Sequence, residues 1–174
     1  MRAIAYFFID LCLLRRRPQD LPASSALLLL VVAAALLGGA LLALTARAPL
    51  MLGVGQTALD LLLMLGALHL ALKLTSKPQR FLQTGTALVG ADTVIGLVSL
   101  LPVGLAGPSI EESQQLLLVA VLFMALVAWS VVVAGHILRH AFDITLTQGA
   151  VVAVAFDIVS YVLIGGLTQS QGAV

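Results

Sequence analysis

An all-α, polytopic membrane helical bundle with five transmembrane helices and an N-terminal interfacial helix is the fold class this sequence predicts. Three observations predict it. The 174 residues are 61% hydrophobic and 10% charged, with a mean hydropathy of +1.13, far from the roughly 45–50% apolar usage of soluble domains. Five apolar stretches each reach the length that a hydrocarbon core of about 30 Å demands, about 20 helical residues. The breaks between them carry Pro, Gly, Ser and charge, as "TARAP", "KLTSKPQR", "AGPSIEESQQ" and "RHAFDITLTQ", which are helix-ending signals.

The first segment, residues 1–17, opens with "MRAIAYFFIDLCLL", apolar over about a dozen residues and too short to span. The basic run Arg15, Arg16 and Arg17 follows the apolar stretch, the reverse of the order in a secretory signal. An interfacial helix is expected, with these three arginines among lipid head groups, where each contributes on the order of 1 kcal/mol. The same arginines also serve topology alone, and the two roles stay open. The spans follow at 26–46, 50–72, 81–105, 116–138 and 149–167, in a single domain covering 1–174.

Orientation comes from Lys and Arg in the short loops. Arg2, Arg15, Arg16, Arg17, Lys73, Lys77, Arg80 and Arg139 fall on one side, and Arg47 falls on the other with Glu111 and Glu112. The expectation is a cytoplasmic N-terminus and an outside tail "TQSQGAV". Composition points to a bacterial inner (plasma) membrane as the location.

The candidate site lies inside the spans. Asp60 sits ten residues into its span, about 15 Å along it, and Asp92 and Asp157 sit at similar positions in theirs. A central Asp costs roughly 2.5–3.5 kcal/mol on insertion scales, so these acids are expected to face inward. Counting outward from each acid in successive threes and fours, which keeps to one helix face, agrees. Gly53, Gln56, Thr57, Met64 and Ala67 surround Asp60, Gly85, Gly96 and Ser99 surround Asp92, and Gly149, Ala153, Ser160 and Tyr161 surround Asp157. Small residues allow close helix approach, and polar ones bond across the contact.

Two roles fit the acids. With Gln56, Thr57 and Tyr161 nearby, Asp60, Asp92 and Asp157 form a polar site for protons or a cation, the default for intramembrane acids. Alternatively each protonated acid bonds to the next helix and selects its packing partner, for about 0.6 kcal/mol on average.

The histidines are weaker signals. His69 and His136 stand at similar depth on separate helices, as two axial haem ligands would. His136, His140 and Asp143 follow an i, i+4, i+7 spacing that puts three metal ligands on one face if the helix continues. Neither pattern is complete enough to assign a cofactor or a metal, and none is expected. The single Cys12 excludes an internal disulfide. A net charge of +1 without a basic aromatic patch argues against nucleic acid. No nucleophile–base pair or phosphate loop can be placed in loops this short, so catalysis is not expected.

From Trp129 onward, "WSVVVAGHILRHAFDITLTQGAVVAVAFDIVSYVL" resembles prokaryotic members of the Yip family, the Ypt/Rab-interacting-protein-like membrane proteins. The likeness lies in a Trp-containing fourth span, a His-bearing basic exit, a short loop with Thr, and an Ala/Val-rich last span. The opening of the third span, "RFLQTGTALVGAD", fits as well. The resemblance covers most of the chain through gross features and implies a membrane-organising or partner-binding role. The long cytoplasmic N-terminal region of eukaryotic relatives is missing, which tells against a GTPase-binding role. The leading expectation is thus a non-enzymatic accessory, scaffold or organising subunit that binds lipid bilayer and other membrane proteins, or itself. The alternative is a small proton- or cation-coupled transporter or channel component using the three aspartates.

Overall fold

The computed structural model describes residues 2–106 and 113–171. Among the described residues there are six α-helices and no strand: α1 Arg2–Cys12, α2 Ser25–Thr45, α3 Leu50–Leu74, α4 Phe81–Leu105, α5 Ser113–Phe142 and α6 Leu146–Gln171. Single 3-10 turns at Pro18–Asp20 and Pro78–Arg80 lead into α2 and α4. Helices α2 to α6 are each long and apolar enough to cross a membrane. The five expected spans are all present, α5 and α6 running several residues longer than expected. Glu111, Glu112 and the last three residues of the tail lie outside the described residues.

Each boundary has a local cause. The Ser24 hydroxyl accepts from the Leu27 amide at 3.4 Å and caps α2, and Pro49 precedes α3 at a position where its missing N–H costs nothing. Four helices end in one way, with a non-glycine residue in the left-handed region: Leu14 (φ 62°), Arg47 (φ 54°), Ser76 (φ 58°) and Asp143 (φ 60°). The following amide reaches back to a carbonyl five residues earlier in every case: Arg15 to Asp10, Ala48 to Ala43, Lys77 to Leu72, and Ile144 to Arg139. This is the Schellman closure, which satisfies carbonyls the helix leaves free.

The bundle is organised around α4, which touches α1, α2, α3 and α5. From Thr84 to Ala91 every residue of α4 is buried, so no face of that stretch is free. The composition "TGTALVGA" explains this, because small side chains let several helices approach at once. A Cβ at Gly90 would run into the Phe8 ring, and one at Gly85 would meet Leu65 Cδ2 at 3.1 Å. Elsewhere Gly39 faces Thr57, Gly53 faces Ala43, and Gly149 faces the Gly135 carbonyl. The Gly39 and Ala43 stripe of α2 thus packs against α3 inside the bundle.

Helix α1 is attached to protein by one face. Phe8, Leu11 and Cys12 are buried while Tyr6 and Ile9 are exposed. Its partners Gly90 and Ala91 lie nine and ten residues beyond the start of α4, about 15 Å along it. The Trp129 indole donates to the Cys12 carbonyl at 2.9 Å, joining α1 to α5. The chain then returns along the bundle. Arg16 O accepts from His136 Nε2 at 3.0 Å, and Gln83 Nε2 donates to Leu21 O at 2.8 Å. Arg15, Arg16 and Arg17 point outward from this anchored backbone. One end of the bundle therefore carries these arginines together with Lys77 and Arg80, and is called the basic end below.

Candidate intramembrane site

Asp60 on α3, Asp92 on α4 and Asp157 on α6 line one cavity of about 190 Å³. Asp92 and Asp157 each lie eleven residues from the basic end of their helices, about 16 Å in. Asp60 stands within a turn of that level. Asp92 is within Coulombic range of both other acids, and Asp157 of Asp60. Protein mass surrounds Asp92, yet its side chain keeps accessible surface because it projects into the cavity. The inward placement inferred from the small-residue positions is what the packing delivers, with each acid coming from a different helix.

The cavity extends from the acids toward the basic end. Met64, Ala67 and Ala71 line it on α3, Leu138 and Phe142 on α5, and Val152 and Phe156 on α6. Ser130 is its one neutral polar lining side chain, and its hydroxyl is already donated to the Val127 carbonyl at 2.8 Å. At the cavity's far end, past Phe142, Asp143 accepts from Lys77 at 2.8 Å and Arg80 at 2.9 Å. The same cations reach α5 carbonyls, Lys77 that of Phe142 and Arg80 those of His140 and Ala141. These ties clamp the α3–α4 connection to the end of α5.

Three expected members of the site are elsewhere. Tyr161 is 81% exposed on the outer face of α6. Thr57 donates to the Gly53 carbonyl at 2.9 Å and packs on Gly39, at the α2–α3 contact. Gln56 is half-buried on α3 and does not line the cavity. Both lie a turn beyond Asp60, on the side away from the basic end, where the cavity does not reach.

Ser160 takes the place expected of Tyr161. It is 5% exposed and its hydroxyl sits against the Asp60 carboxyl, behind the cavity lining. Its spacing of three from Asp157 was the available signal. Ser130 on α5 had none, since that span carries no acid to count from.

The histidines do not assemble a centre. His69 is exposed and packs edge-on against Phe81, with ring centroids 5.1 Å apart, while His136 is buried and bonded to Arg16 O. The two axial candidates thus have separate surroundings. His140 Nδ1 donates to the His136 carbonyl at 2.8 Å. Helix α5 stops at Phe142, and Asp143 turns away in the left-handed region to meet Lys77 and Arg80. The i, i+4, i+7 face is therefore broken before its third member. Among the described residues no group of three His, Cys, Asp or Glu is placed to hold a metal ion.

Fold and cavity together define a class: a polytopic all-α membrane bundle with an acid-lined intramembrane cavity. Comparison with protein-family models, curated proteins and solved structures returns no match. The resemblance to the Yip family receives no support from them.

Proposed function

We propose that the chain is a small proton- or cation-coupled transporter or channel component, in which Asp60, Asp92 and Asp157 carry the translocated charge. One observation carries this: three separate helices each deliver a mid-depth acid to the same cavity. A packing role needs each acid to bond to a neighbouring helix; Asp60 reaches Ser160 of α6, whereas among the described residues Asp92 and Asp157 make no side-chain hydrogen bond to another helix. Acids whose charge is costly in a bilayer are retained where they act on ions or protons. The work is non-enzymatic.

The excess of Lys and Arg at the basic end supports a cytoplasmic N-terminus and an outside C-terminus, and the Ala- and Leu-rich composition is the ground for placing the chain in a bacterial plasma membrane. The cavity then reaches toward the cytoplasm.

The test is proton flux into liposomes loaded with a pH-sensitive dye. Wild type is expected to dissipate an imposed gradient, and Asp60→Asn, Asp92→Asn and Asp157→Asn are expected to fold and fail. Absence of flux in wild type, with a stoichiometric partner co-purifying from the native membrane, would replace this function by the scaffold role.

A further inference from the structure

We infer that the cavity binds a small organic ammonium, its head among Asp60, Asp92 and Asp157 and its apolar body extending toward the basic end. This rests on the acids acting on a cation, as proposed above, and adds what kind of cation. The walls decide it. Between the acids and Phe142 the lining runs for about 18 Å along α5 and is apolar, through Met64, Leu88, Ala134, Leu138 and Phe142. An inorganic ion moving along that wall loses its water shell and meets, between the acids and Phe142, a single neutral side-chain oxygen, that of Ser130, in its place. An apolar body removes its own surface and that of the wall from water together. A bare proton needs no such volume.

The head-group end is held in place from outside the lining. Ser160 is 5% exposed and sits against the Asp60 carboxyl on the α6 stripe that also presents Phe156 and Asp157 to the cavity, so it holds that acid from behind the lining. An ammonium offers three N–H donors, which suits carboxylates arriving from three directions. Phe156, which lines the cavity near Asp157, adds an aromatic face attractive to a cation.

The experiment uses the full chain in lipid nanodiscs, with phenethylammonium as probe and 2-phenylethanol as its uncharged counterpart, read by calorimetry. The amine is expected to bind at one site, the alcohol at least about tenfold more weakly. Asp92→Asn is expected to weaken the amine about ten- to hundredfold, and Ser160→Ala to weaken it by less. Ala134→Phe, which fills the cavity, should abolish binding in a folded protein, and Ala67→Leu on the facing wall is the second filling variant should the first not fold. Equal binding of amine and alcohol, or amine binding that survives filling, overturns the inference. Proton flux measured on the same preparation separates the two ideas. Flux without amine binding removes the organic ligand and leaves proton conduction, whereas binding without flux leaves the ligand site and removes conduction.

Discussion

Lys77 Nζ and Asp143 Oδ2 lie 2.8 Å apart, joining two connections that are 66 residues apart in the chain. Arg80 shares the same carboxylate oxygen at 2.9 Å. These hydrogen bonds, first that of Lys77 and then that of Arg80, hold the Asp143 carboxyl below its ordinary value of 3.8. A carboxyl depressed on folding adds stability above its unfolded value and loses it as pH falls through the folded one. Acidification below about pH 4 should therefore lower the unfolding temperature more in wild type than in Asp143→Asn. Thermal unfolding in detergent between about pH 3 and 6 gives the difference. Parallel curves for the two proteins would mean the contact does not persist in solution. The effect should be small, because Asp143 is exposed.

Helices α5 and α6 meet backbone to backbone. A Cβ at Gly149 would press into the Gly135 carbonyl oxygen, and one at Gly135 would stand 2.8 Å from the Ala150 amide nitrogen. Neither can be relieved by a rotamer change. Gly149→Ala should cost about 1–3 kcal/mol by forcing the helices apart, whereas Gly38→Ala, with no atom within 4 Å of its Cβ, should stabilise by up to about 1 kcal/mol. Comparing the two unfolding midpoints isolates the close approach from general helix propensity.

Ser76 closes α3 with φ 58°, a region that disfavours L side chains by about 1–2 kcal/mol. Its side chain is exposed and makes none of the bonds that tie the basic end together. Ser76→Gly should raise stability by up to about 1 kcal/mol. The same change at Asp143 should give less or reverse sign, since there the ion pairs with Lys77 and Arg80 go with the side chain.

The Cys12 thiol reports whether α1 is docked. Burial, and secondarily the negative charge of Asp92, push it up to about 11. With 1% exposure and little thiolate at neutral pH, it should resist maleimide in the native protein. Gly90→Val, which drives a side chain into the Phe8 ring, should make it react. Trp129→Phe should do so more weakly, because it removes one hydrogen bond to Cys12 O, of about 0.5–1.5 kcal/mol. Prompt labelling of wild type would show that α1 leaves the bundle readily.

Length and composition by themselves determined that five helices cross a bilayer and roughly where each begins, because a fixed hydrocarbon thickness sets a minimum apolar run. The chain also marked which way the acids point, since Gly, Ala and Ser cluster on the faces of Asp60, Asp92 and Asp157. What it left undecided is which side of each face is covered. Ser160 and Tyr161 lie three and four residues from Asp157, flanking it at about 60° and 40° around the helix, and either could have joined the site. Tertiary packing buries Ser160 beside Asp60 and leaves Tyr161 on the outer face. Along the helix axis the same limit applied to Gln56 and Thr57, which share Asp60's stripe but stand beyond the end of the cavity. Asp143 departed from its helical spacing because α5 closes at Phe142, where Lys77 and Arg80 wait from a distant part of the chain. A helical period defines a face about 100° wide. Only the contacts of neighbouring helices, set here by close approaches at Gly90, Gly135 and Gly149, select which residues on that face meet.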